Sequence, residues 1–143
     1  MQLFRNNWFW SVILIVTIVV CGIILAMHFK NWIDTENNAL TLRSGFYRVQ
    51  VPYEELDSVL LVERIPAMQR INGFSALEKE KGIFREFKDS LTNKKVYVFV
   101  DNIEQQKIKL VYKDSSYLYV NLKDSVRTLQ LMDGLKSKIS NEE

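Results

Sequence analysis

Histidine and cysteine are almost missing from this chain: His28 and Cys21 are the only examples among 143 residues. With one imidazole and one thiol, the usual four-ligand zinc sites cannot be assembled. A serine nucleophile would lack a histidine base, because His28 lies at the edge of a long apolar run. A lone cysteine also leaves no internal disulfide. Glycine is scarce, and Gly45, Gly73, Gly82 and Gly134 stand isolated, so no phosphate-cradling loop is visible. Charge of one sign is scarce too: 19 Lys and Arg face 17 Asp and Glu, for a formal net charge of +2. No strong field draws the chain to nucleic acid. Glu54, Glu55 and Asp57 cluster on a short turn with no neighbour suited to acid–base work, and they read as solvated surface. The chain is expected to be a non-enzyme without a cofactor or metal.

What the sequence does have is residues 8–29, WFWSVILIVTIVVCGIILAMHF. The run holds no Asp, Glu, Lys, Arg, Pro, Asn or Gln. As a helix, its 22 residues reach roughly 33 Å, enough for a hydrocarbon core of about 30 Å. Trp8, Trp10 and Trp32 flank it as interfacial anchors, and Arg5 and Lys30 lie just outside, able to reach water. A cleaved signal peptide would have a shorter apolar region and a small-x-small site after it. A lipoprotein site would need a small residue before Cys21, where Val20 stands. Sidedness is nearly balanced: Arg5 favours one orientation, Lys30 and Arg43 the other. The lack of cysteine outside the span fits a reducing compartment, so the soluble body is expected on the cytoplasmic side of a cell membrane. Residues 1–7 then form a short tail.

Residues 30–39 are polar and read as a linker. From Leu40 to Ile139 the chain is long enough for one domain. Its apolar period is mostly two. Leu40 and Leu42 open it, and Ser44-Gly45 is a turn. Tyr47, Val49 and Val51 alternate with Arg48 and Gln50. Pro52 ends that strand, and Tyr53 to Leu56 suits one helical turn. Ser58 to Val62 forms a strand, then Ile65 to Gly82 reads as a loop of 18 residues. Further strands are expected around Ile83, Phe84 and Phe87, over Val96–Val100, over Ile108–Tyr112 and over Leu118–Leu122. Asp114 to Ser116 is a hairpin turn. Val126, Leu129, Met132, Leu135 and Ile139 then mark an amphipathic helix, with Asp124 as its N-cap and Lys136 and Lys138 near its C-terminal end. Residues 140–143 are a tail.

Particular residues sharpen this order of elements. Val51-Pro52-Tyr53-Glu54-Glu55-Leu56-Asp57-Ser58-Val59 resembles the IPY-x-EI-x-SV stretch of bacterial PH-like domains. Ile65-Pro66 with Arg70-Ile71-Asn72-Gly73-Phe74, Gly82-x-Phe84, Asp101-Asn102 and Tyr119 to Asp124 match later parts of that pattern. The chain is similar, from Leu40 to Ile139, to the pleckstrin-homology superfold. That resemblance implies a mainly β body of seven antiparallel strands in a barrel or sandwich, capped by a C-terminal helix and tethered by one transmembrane helix. The chain departs from the pattern after Phe74, where Ser75-Ala76-Leu77-Glu78-Lys79 replaces further glycines. Structural roles are expected for Gly73, as a positive-φ residue, and for Asn72, bonded to nearby turn backbone.

Two surfaces are candidate binding sites. One is the 65–82 loop, exposing Met68, Arg70, Asn72, Gly73 and Phe74. The other is a lysine face of Lys107, Lys109 and Lys113, beside Lys94 and Lys95. The first hairpin turn, Arg43-Ser44-Gly45, is too tight and too poor in cations for the phosphoinositide loop of lipid-binding PH domains. The leading expectation is therefore a non-catalytic membrane-tethered module that binds a protein partner. The alternatives are a lipid or small-ligand sensor at the membrane surface, or an accessory subunit whose helix packs through Gly22 and Ala26.

Overall fold

A computed structural model of the protein describes residues 3–36, 38–87, 94–113 and 115–140. The first element, α1 (Leu3–His28), is one continuous helix with no proline to break it. Its two hydroxyls bond back within the helix, Ser11 Oγ to the Asn7 carbonyl and Thr17 Oγ1 to the Ile13 carbonyl, both at 2.8 Å. They therefore need no water. Asn7–His28 is long and apolar enough to cross a membrane, and its most apolar stretch is not buried in the body, whereas a core helix would be mostly buried.

Four residues past the helix end the chain is already in a sheet. β1 (Trp32–Asp34), β2 (Ala39–Ser44) and β3 (Tyr47–Pro52) pair antiparallel in that order. The segment 30–39, expected as a linker, instead supplies β1, because Trp32 to Asp34 find partners in Arg43 to Thr41. Pro52 closes β3, and Tyr53–Glu55 makes the expected single turn, here 3-10.

A second sheet contains β4 (Leu56–Val62), β5 (Met68–Ala76), β6 (Lys79–Glu86), β7 (Val96–Val100), β8 (Lys107–Tyr112) and β9 (Ser116–Asn121), in the order β4-β8-β9-β7-β6-β5. Seven antiparallel strands were expected; nine are present among the described residues, and β7 and β9 run parallel. The cause lies in the connection Asp101–Gln106, which carries the chain one strand position too far, so that β9 returns into the gap. Asn121 at the end of β9 satisfies that connection. Its Oδ1 accepts from the N–H of Asp101 (2.8 Å) and of Asn102 (3.1 Å), and its Nδ2 donates to the carbonyls of Asn102 (2.6 Å) and Gln106 (3.2 Å). Part of the expected hairpin turn before β9, Asp114, lies outside the described residues.

The 65–82 loop is not a loop. Met68 to Ala76 and Lys79 to Glu86 pair as a hairpin around Leu77-Glu78. Gly73 faces Gly82 across it. Of the two, Gly82 has the positive φ, +142°, while Gly73 is needed because a Cβ there would meet the Lys81 carbonyl oxygen at 2.5 Å. Asn72 bonds not to turn backbone but to the Tyr47 hydroxyl, at 3.1 Å.

The register makes β4 and β5, the two edge strands, run the same way. Flat, they would stand about 24 Å apart, five spacings of about 4.8 Å. The six steps from Val62 to Met68 span at most about 22 Å and must also return along the strand direction. The sheet must therefore curl, and residues 63–67 cross its concave face. Val62, Ile65 and Met68 pack there against Phe84, Val96, Val98, Val100 and Tyr119. The edges do not pair, so the barrel is not closed. The other face packs Phe99, Ile108, Leu110, Leu118 and Val120 against Leu40, Leu42, Val49 and Val51 of the small sheet and Leu135 of α2 (Ser125–Ser140). Asp124 caps α2 as expected, its Oδ1 accepting from the Val126 N–H at 2.9 Å.

Candidate functional site

The strand directions give the body two ends. The distal end holds Tyr53–Glu55, the β8–β9 turn and the C-terminal end of α2, since Lys113 N–H donates to the Glu55 carbonyl (3.1 Å) and Lys138 lies over the Tyr53 ring (5.7 Å). The other end is where α1 stops. Gly45, at the β2–β3 turn, donates its N–H to the Met27 carbonyl at 3.1 Å. Ser44 Oγ donates to the His28 carbonyl at 3.3 Å. Gly45 takes φ +57°, and any side chain on it would collide with the His28 imidazole. That imidazole sits between Phe46 (5.4 Å between ring centres), Tyr47 (5.8 Å) and Phe74 (5.4 Å). Three residues beyond the helix, buried Asn31 donates from Nδ2 to the carbonyls of Phe99 (2.9 Å) and Asn121 (3.1 Å). The last turn of α1 is thus held by the β2–β3 turn, and the chain just beyond it by the six-stranded sheet.

Beside this junction lies a buried charge cluster. Lys81, fully buried, pairs with Asp101 at 2.8 Å, and Lys79 reaches the same Oδ1 at 3.3 Å. Burial pushes the Lys81 ammonium below its ordinary pKa, against the pull of Asp101 and with help from the charge of Lys79. On the concave face, Lys107 donates to the Glu63 carbonyl at 2.8 Å and to the Ile103 carbonyl. Burial lowers its pKa too; Glu80 opposes the shift and Arg64 adds to it. Both bonds go to main-chain carbonyls, so this ammonium clamps the 63–67 crossover in place.

Two clefts mark the surface of the body. One, about 470 Å³, lies under the crossover between Ile65, Pro66, Met68, Phe84, Ile103 and Lys107. The other, about 760 Å³, lies between β1 and the start of α2, with Lys30, Trp32, Asp101, Lys123, Asp124 and Arg127 on its walls.

The residues expected to form binding surfaces scatter. Met68 and Lys107 meet in the crossover cleft. Arg70 is exposed on β5 and donates to Ser75 Oγ at 2.6 Å, while Phe74 is half-buried against His28. Lys109 covers the Tyr117 ring at 4.2 Å, and Lys113 pairs with Glu55 at 3.2 Å at the distal end. The lysine face fails as a unit because Lys107 is buried. Sequence reasoning missed Asn31 and Lys81. Asp101, Asn102 and Asn121 stood out only as strand ends. Comparison with protein families, curated proteins and solved structures gave no match.

Proposed function

We propose that this chain is a non-catalytic, PH-like interaction module, anchored in a cell membrane by α1 and binding a protein partner. The reading is carried by one observation: a helix of spanning length and composition is locked into the body by Gly45, Ser44 and Asn31. A flexible tether would only raise local concentration; a clamped one also fixes which surfaces face along the membrane. The motif matches and the strand-rich body with a C-terminal helix support the PH-like part of the reading.

The partner surface is the outer edge of β5, with which no described strand pairs. Gln69 to Asn72 are exposed along it, and Ile71 sits in a bulge between the paired residues Arg70 and Asn72. An extended segment of the partner adds to such an edge through main-chain hydrogen bonds. The test is a photo-crosslinking residue at Ile71 in the full chain in native membranes, with the same group at exposed Ser137 as reference. A discrete protein adduct confined to position 71, and lost when Gln69→Pro blocks the edge, is the expected result. Equal labelling at both positions removes the β5 edge from the account.

A second reading, a small-ligand or headgroup sensor, draws on the cleft where Lys30, Lys123 and Arg127 converge beside the helix end. It requires that inorganic phosphate or glycerophosphate protect Lys30 and Lys123 from acylation.

A further inference from the structure

We propose that the helix-proximal end of the body is itself a lipid-contacting surface, in which two hairpin tips insert Phe46 and Leu77 into the headgroup layer of the bilayer that α1 crosses. The inference rests on the reading of α1 as a membrane span and adds a second membrane contact to it.

Depth is the first argument. The β2–β3 tip does not hang beyond the helix; it reaches back along it. Gly45 N–H bonds to the Met27 carbonyl, and Met27 and His28 are the last two residues of the apolar window Asn7–His28. Phe46 is the next residue of that tip and packs edge-on against His28 at 5.4 Å. Whatever layer holds the end of the span also holds Phe46.

The second hairpin reaches the same level. Phe74 of β5 also packs edge-on against His28, at 5.4 Å, and Lys79 at the start of β6 lies 5.5 Å from the centre of the Phe29 ring. Between them the chain turns at Leu77-Glu78, and Glu78 is tied back to the body by the Ile103 N–H at 2.7 Å. Leu77 takes φ +56°. A left-handed turn position ordinarily goes to glycine or asparagine, so leucine there is costly unless its side chain gains something.

Exposure is the third argument. Phe46 is 76% exposed and Leu77 is 92% exposed, the highest values among the described large apolar residues of the body. Both stand at turn tips, where small polar residues are the ordinary choice. Trp32 and Phe29 add exposed apolar surface at the same end, each beside a lysine: Lys30 lies 4.4 Å from the Trp32 ring centre, as Lys79 does near Phe29. Aromatic rings with lysines beside them suit the layer between hydrocarbon and water. The occupant is therefore a phospholipid surface, continuous with the lipid around α1, rather than a separate protein.

The experiment places an environment-sensitive dye on single cysteines of the full chain, reconstituted in phosphatidylcholine–phosphatidylglycerol vesicles that carry nitroxide-labelled lipids. Native Cys21 reports the span. In a Cys21→Ala background, Phe46→Cys and Leu77→Cys report the two tips, and Ser115→Cys reports the distal end. Each of these three residues is exposed, so the substitutions leave the core intact. The expected result is blue-shifted emission and several-fold stronger quenching at 46 and 77 than at 115, with shallow nitroxides most effective at the tips and deep ones at Cys21. If either tip behaves like Ser115 while Cys21 is quenched, this proposal falls and the anchor stands. If Cys21 is not quenched, the anchor falls and takes the proposal with it.

Discussion

Removing one charge from a buried pair leaves the other in surroundings that solvate it poorly, at a cost of about 3–5 kcal/mol. Asp101 is placed to test this, because two lysines share it unequally. Asp101→Asn strands Lys81, which has no exposure to water. Lys81→Met removes the more deeply buried charge and leaves Asp101 with Lys79 at 3.3 Å. The urea midpoints of the full chain in detergent should therefore fall in the order wild type, Lys81→Met, Asp101→Asn. The opposite order would mean that Lys79 does not hold Asp101. None of this was readable from the sequence. Asp101-Asn102 carries ordinary turn residues, and Lys81 follows Glu80 in what reads as a polar loop. A lysine is recognisable as buried only once the strand that buries it is known.

Elements were legible where one period held, and misread where two competed. The alternating runs of β3, β7, β8 and β9 sit where the pattern put them, because each buries at least one face. β5 was lost because Asn72, Gly73 and Ser75 are turn formers, and only the Gly73–Gly82 pairing makes them a strand. In α2 the helix was right and its inner face was partly wrong. A strict step of three advances the helix by about 300°, so the row from Val126 slips about 60° per step and Leu135 ends opposite it. Thr128, Leu131, Met132, Leu135 and Ile139 are what the body covers, so the lower half of the expected row is right, while Val126 and Leu129 stay exposed. Thr128 belongs there because its Oγ1 accepts from the Leu122 N–H at 3.0 Å and donates to the Asp124 carbonyl at 3.0 Å. Leu135→Ala should thus cost about 2–5 kcal/mol. Val126→Lys should stay within about 0.5 kcal/mol. Equal losses in thermal melts would place Val126 against the body after all.

At the scale of the molecule, one six-stranded sheet divides two apolar cores, and whether they fall apart together is measurable through their tyrosines. Tyr112 lies in the core shared with the small sheet and α2, Tyr119 in the core under the 63–67 crossover. Burial pushes both hydroxyls from 10.0 up to about 12, with weaker contributions from Tyr97 and Glu55 at Tyr112 and from Glu86 and Tyr117 at Tyr119. Between pH 10 and about 12 the unfolded chain has already released these protons and the folded chain has not. The unfolded state then binds fewer protons, so stability falls as pH rises. The contribution is whole below pH 10 and gone above about 12, on the order of 3 kcal/mol for each residue. Tyr53, raised by burial and by Asp34, adds loss of the same sign. Tyr112→Phe and Tyr119→Phe should each flatten the alkaline limb of a urea-midpoint profile followed by near-ultraviolet circular dichroism, and the double variant should flatten it further. Because the sheet is common to both cores, each single variant should move one and the same transition. Two separated transitions, one answering to each tyrosine, would mean that the curled half of the sheet opens without the half that carries α2.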